Sequence, residues 1–116
     1  MKNKHTGDKG ETIAANFLIK RGFNIIERNW RYKHLEIDII ASLKQKLHFV
    51  EVKTRTNLKF GMPEESVSQA KMNRLKIAAE AYLHLHPEWE LIQFDVIAIM
   101  LGKENEDILL IDDVFL

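Results

Sequence analysis

The sequence predicts an α/β (α+β) fold: a β-sheet with helices packed against it, in the order α-β-β-β-α-β-β. Three observations carry this. Two stretches repeat apolar residues at helical spacing, five others alternate or run apolar at strand length, and Gly, Pro or polar residues punctuate the boundaries. At 116 residues the chain is long enough for one domain with a core that needs no staples.

The first helix is expected over Asp8–Arg21. Ile13, Ala14, Phe17 and Leu18 share a face, and Gly22 stands where a C-terminal cap belongs. Residues 23–32 are β-branched and aromatic enough for a strand. Residues 35–41 and 46–54 read as the two strands of a hairpin turning at Lys44–Gln45, and 58–65, with Gly61 and Pro63, as a loop. The second helix is expected from about Ser66 to Leu85, with Val67, Ala70, Leu75, Ala78, Ala79 and Tyr82 on its apolar stripe and Pro87 beyond its end. Residues 89–101 are so apolar that they predict an interior strand, and 107–116 a last, edge strand.

Composition narrows the function classes. The absence of cysteine excludes disulfides and thiolate metal sites and fits a reducing compartment. No apolar run approaches the roughly 20 residues that span a bilayer, and MKNKHTGDKGE contains no apolar leader, so a cytoplasmic protein without membrane partners is expected. The zero net charge conceals a division. Residues 1–76 hold 16 Lys/Arg against 8 Asp/Glu, and residues 77–116 hold one Lys against 9 Asp/Glu. One segment therefore suits a polyanion, although two solvated halves that attract each other would read the same way.

The hairpin carries the chemistry. On alternating strands Glu36 and Asp38 share one face, opposite Leu35, Ile37 and Ile39; Glu51 and Lys53 share a face in the next strand. A turn at 44–45 makes facing residues sum to 89, placing Asp38 opposite Glu51 and Glu36 opposite Lys53. Facing carboxylates repel unless a cation lies between them. Mg²⁺ takes oxygen ligands of this kind, and Lys53 is placed to orient or activate a water. A solvated face laced with salt bridges is the plain alternative.

Asp38 followed by Glu51-Val52-Lys53 resembles the signature of the PD-(D/E)xK nuclease superfamily. Gly10-Glu11 with Ala14, Arg28-Asn29-Trp30-Arg31, Glu36-Ile37-Asp38, Phe49 to Arg55, Lys71 with Leu75, and Phe94-Asp95 together resemble the bacterial YraN family, over roughly residues 7–98. That family is similar in fold to archaeal Holliday-junction resolvases. The resemblance implies a restriction-endonuclease-like mixed sheet flanked by helices, with a Mg²⁺ (or Mn²⁺) site. It implies Asp38, Glu51 and Glu11 as metal ligands, the Val52 carbonyl as a further one, and Lys53 as the catalytic lysine. It also implies supporting roles for Gln69 and Lys71 on the second helix, and a homodimer. Leu35 departs from the family, which carries Gly there, and leucine lacks glycine's backbone freedom.

Several residues admit two readings. Glu11 is three residues after Asp8, so it can close a capping box as well as bind metal. Glu36 reads as a support for the site more than a ligand. Arg28, Arg31, Lys33, Arg55, Lys59 and Arg74 can track a phosphate backbone, or each can be an ordinary solvated cation. Trp30 and Tyr32 can stack on bases, although core packing suits Trp30 better. Asp95, inside an apolar strand, is expected to be buried and hydrogen-bonded. His84 and His86, two apart on a helix, point different ways and make a poor zinc pair. The expected function is a Mg²⁺-dependent endonuclease acting on DNA, with branched or structured DNA favoured. The alternative is a non-catalytic nucleic-acid-binding or protein-interaction module on the same fold.

Overall fold

A computed structural model describes residues 4–56, 68–102 and 104–114, with side chains from Asp8 onward. The elements are α1 (Lys4–Lys20), β1 (Asn24–Tyr32), β2 (Leu35–Leu43), β3 (Lys46–Arg55), α2 (Gln69–Leu85), β4 (Leu91–Leu101) and β5 (Glu106–Ile111), in the predicted order. The expected loop at 58–65, Val67 and the candidate phosphate contact Lys59 lie outside the described residues.

Helix α1 starts a turn earlier than expected. Asp8 is therefore an exposed residue inside the helix, its own N–H among the intrahelical donors, and the predicted capping box does not form. Glu11 instead turns inward and is 4% exposed. The other end closes as expected. Phe23 N–H donates to the Leu18 carbonyl and Gly22 N–H to that of Ile19, each at 3.0 Å, with Gly22 at φ 94°. These two bonds form a Schellman cap, which needs the left-handed residue that glycine supplies without strain. At the start of α2, the Ser68 hydroxyl accepts from the Lys71 N–H at 3.1 Å. Ala70, placed on the apolar stripe by sequence, is exposed in this first turn; Met72, Leu75, Ala78, Ala79 and Tyr82 are buried.

The sheet runs β1-β2-β3-β4-β5; β3 and β4 are parallel and every other pair is antiparallel. Its mixed character follows from α2, because a parallel neighbour requires a long crossover. Strand β4 is interior and apolar and β5 is an edge, as predicted. Each face carries a core. Ala14, Ala15 and Leu18 of α1 pack on Ile39, Ala41, Val50, Val52, Ile97 and Ile99. On the other face, the buried stripe of α2 packs on Ile37, Ile40, Leu47 and Phe49. Trp30 belongs to this second core, meeting the Tyr82 ring edge-on at 5.2 Å.

The hairpin has the predicted register, Leu43↔Lys46 through Ile39↔Val50. Its turn uses Lys44 (φ 50°) and Gln45 (φ 68°), the pair of left-handed residues that matches strand twist, without Gly or Asn. One expectation fails. Ile37 and Ile39 do not share a face: Ile37 joins the α2 core and Ile39 the α1 core. Alternation slips at Asp38, beyond the last β2–β3 pair and across from Asn29, which itself sits at φ 53° between the pairs Arg28↔Ile39 and Trp30↔Ile37.

Asp95 is 1% exposed and fully engaged, as its apolar strand required. Oδ2 lies 2.7 Å from His48 Nδ1, and Oδ1 accepts from Gln93 Nε2 at 2.8 Å and from the Asp113 N–H at 3.0 Å. Burial alone would raise its pKa. The hydrogen bonds from His48, Gln93 and Asp113, with the His48 charge, outweigh burial and hold the carboxyl below its ordinary 3.8. A depressed carboxyl stabilises the fold above its unfolded pKa, and that contribution is lost as pH falls below 3.8 towards the folded value. Asp95→Asn should therefore lower stability at pH 7 by about 1–3 kcal/mol and flatten the acid limb of the stability profile, read by urea unfolding between pH 3 and pH 7.

Gly10 sets how closely α1 approaches β3. A Cβ there would overlap the Thr54 hydroxyl and meet Thr54 Cβ at 3.0 Å. Gly10→Val is expected to cost about 1–3 kcal/mol in thermal or urea unfolding, with Thr54→Ala recovering part of the loss.

Candidate active site

Strands β2 and β3 pair only as far as Ile39↔Val50, whereas β3 stays paired to β4 through Arg55↔Met100. Strand β3 is thus held rigid on one edge and released on the other. At the gap, Asp38 Oδ2 accepts the Val52 N–H at 2.8 Å, a carboxylate standing where the ladder would continue. Both backbone groups of a residue point to the same side of an extended strand, so the Val52 carbonyl is also directed at the gap.

Three carboxylates converge here. One oxygen each from Glu11 on α1 and Glu36 and Asp38 on β2 lie within 4.8 Å of one another. Glu11 and Asp38 are buried and Glu36 is half-buried. Like charges at this separation and burial repel, and a cation relieves that repulsion. The donors are all oxygen, which suits the hard ions Mg²⁺ and Mn²⁺. The carboxylate set therefore fits a divalent metal.

Glu51 lies beside this group. Its Oε1 is 3.5 Å from Lys53 Nζ and 3.7 Å from Lys71 Nζ. Lys53 is 6% exposed, an ammonium held in the interior by a carboxylate. His34, Glu36, Asp38, Glu51, Lys71 and Arg74 line a cleft of about 270 Å³, together with Leu35 and Leu75. The predicted pairing of Glu36 with Lys53 is not found. Glu36 pairs with Arg31 at 3.1 Å and Lys53 with Glu51, because β2 has left the ladder before Glu36 can face Lys53.

The other candidates divide. Lys71 and Arg74 reach the cleft, whereas Gln69 donates to Asn73 at 3.1 Å on the exposed side of α2. Arg28 donates to Thr12 of α1 at 3.2 Å, Lys33 sits 5.3 Å from the Tyr32 ring centre, and Arg55 donates to the Thr54 carbonyl at 2.9 Å. His86 stacks on Tyr82 at 4.3 Å, away from the cleft lining, while His84 is exposed. Sequence reasoning did not single out His34 or Leu75 as cleft residues. His34 sits in the β1–β2 turn, and only the path of that turn brings it to the cleft.

The model of the uncharacterised protein family UPF0102 matches residues 10–99, which contain every one of these cleft and carboxylate residues. The chain belongs to this family. Among its curated relatives, a UPF0102 protein of Dictyoglomus turgidum is 48% identical over 107 residues, 91% of each chain. One from Caldicellulosiruptor bescii is 45% identical over 119 residues, covering 99% of this chain and all of the relative. A third, from Clostridioides difficile, is 45% identical over 110 residues, 90% of this chain and 93% of the relative. No helix among the described residues is long and apolar enough to cross a membrane.

The carboxylate geometry generates a stability prediction. The Arg31–Glu36 pair is largely solvated, with Arg31 71% exposed, and such pairs contribute less than about 1 kcal/mol. Glu11 and Asp38, each with an oxygen within 4.8 Å of one of Glu36's own, act against the Glu36 negative charge. Glu36→Gln should raise the unfolding midpoint in chelator and shrink the increase that Mn²⁺ produces in the parent protein, both read by thermal melts.

Proposed function

We propose that this protein is a Mg²⁺-dependent nuclease that hydrolyses phosphodiester bonds in DNA, with branched or otherwise structured DNA as its favoured substrate. The convergence of Glu11, Glu36 and Asp38 beside the Glu51–Lys53 pair carries the reading. Glu11, Glu36, Asp38 and Glu51 would hold the ion, with the Val52 carbonyl turned to the same gap. When bound, the ion supplies charge neutralisation at the phosphate oxygens and lowers the pKa of a bound water.

The chain's own groups do the rest. Glu51, which lines the cleft, fixes the buried Lys53 ammonium behind it, from where it would donate to the attacking water and orient it towards phosphorus. Water adds its oxygen to phosphorus as the bond to the leaving sugar oxygen breaks; the proton that water loses passes to solvent, and the leaving oxygen takes one up from solvent to depart as a hydroxyl. Lys71 and Arg74 on the wall bind the flanking phosphates, Arg74 with the fork geometry that suits them. The buried position of Lys53 and Asp38 keeps these charges in a region of reduced dielectric, where they act more strongly than at the surface.

A non-catalytic nucleic-acid-binding module is the second reading. It is favoured by one observation: Lys53 and Lys71 together neutralise Glu51, as in a salt-bridge network that needs no metal. Binding that is sensitive to salt but indifferent to Mg²⁺ would support that module. The nuclease reading expects Asp38→Asn and Lys53→Ala each to cut Mg²⁺-dependent cleavage of a branched DNA at least about 100-fold in matched preparations. Cleavage unchanged by both substitutions contradicts it.

A further inference from the structure

We infer that the cleft takes a single unpaired nucleotide, so that the protein acts on DNA strands that are, or can become, single-stranded at the cut, and not on continuous duplex. The inference rests on the nuclease reading above and names its substrate class.

Size comes first. The cleft holds about 270 Å³. That is at the low end of pockets that enclose one small molecule, roughly 300 Å³ and upwards. A B-form duplex is a rigid rod with a major groove about 12 Å wide, and it cannot enter such a space. Depth makes this decisive. Asp38, which lines the cleft, is only 6% exposed, so a scissile phosphate must come in to reach it. A nucleotide out of the stack can do so; one held in a duplex ridge cannot without unpairing.

The wall chemistry agrees. The cleft is not a uniformly charged groove. Leu35, half-buried, and Leu75, 4% exposed, give it apolar surface beside the Lys71 and Arg74 cations and the carboxylate floor. Apolar surface is useless to a sugar–phosphate ridge but suits the face of an unstacked base, with the cations placed for its phosphates. Leu35 fits this account: the side chain that occupies the position packs against the α2 core and narrows the cleft. The cations of β1, which a duplex-tracking surface would use, are engaged elsewhere: Arg28 with Thr12 and Arg31 with Glu36.

The test uses one labelled strand presented three ways: single-stranded, fully duplex, and duplex with an unpaired flap. Binding is measured by fluorescence anisotropy with the Asp38→Asn protein, and cleavage with the parent protein in Mn²⁺. We expect single-stranded and flapped DNA to bind at least ten-fold more tightly than duplex, and cleavage to fall within the unpaired segment. Arg74→Gln, an exposed change, should weaken single-strand binding several-fold with no change in unfolding midpoint. Leu35→Gly should narrow the gap between single strand and duplex. Duplex bound and cut as well as single strand would overturn the inference while leaving the nuclease intact. Preferential single-strand binding with no cleavage of any substrate would keep the inference about the cleft and overturn the nuclease reading.

Discussion

The hydrogen bond from the Val52 N–H to the Asp38 carboxylate is the point on which the site depends. Sheets are specified by backbone pairing, and a ladder that ran on would bury this edge of β3 against β2. A side-chain oxygen in that place satisfies the amide while ending the pairing, so that β2 leaves the ladder without an orphaned donor. The slip in alternation at Asp38 and the left-handed Asn29 alongside are the backbone consequences. The gap that results admits Glu11 from α1 and exposes Glu51 to Lys71 of α2, which brings residues from four separate elements to one place.

Gathering carboxylates in this way is costly to the extent that their charge is not met. Buried or half-buried carboxylates within 4.8 Å oppose folding, and a protein free to solvate them would do so. Part of the charge is met by protein: Lys53 and Lys71 share Glu51, and Arg31 takes Glu36. Asp38 accepts the Val52 N–H, and a Glu11 oxygen lies within 4.8 Å of an Asp38 oxygen. The cations cluster around Glu51 and the acids around Asp38. The charges of the site are thereby unevenly distributed, with the two lysines at Glu51 and the other acids around Asp38.

Much of this was legible in the sequence, and the reasons are local. The hairpin register follows from the length of the turn, and the Schellman cap from a single glycine after an apolar face. The Glu51–Lys53 pair follows from strand periodicity, whereas Asp38 lies beyond the last β2–β3 pair and meets the Val52 N–H in place of Glu51. What sequence reasoning missed comes from tertiary placement. Period-two alternation put Ile37 with Ile39 and Glu36 with Lys53, because it assumes an unbroken strand. Asp8 three residues before Glu11 looked like a cap, but α1 continues a turn further back and leaves Glu11 free to turn to the sheet. His34 and Leu75 became cleft residues only when the β1–β2 turn and α2 were placed against each other.

The central claim is that the carboxylates gathered at the β2–β3 gap form a divalent-cation site. Calorimetric titration of Mn²⁺ into the parent protein and into Asp38→Asn, each mixed with a non-cleavable DNA flap to supply phosphate oxygens, tests it most directly. The account predicts saturable binding near one ion per chain in the parent protein and its loss in the variant. Equal binding by both proteins, or none by either, would contradict it.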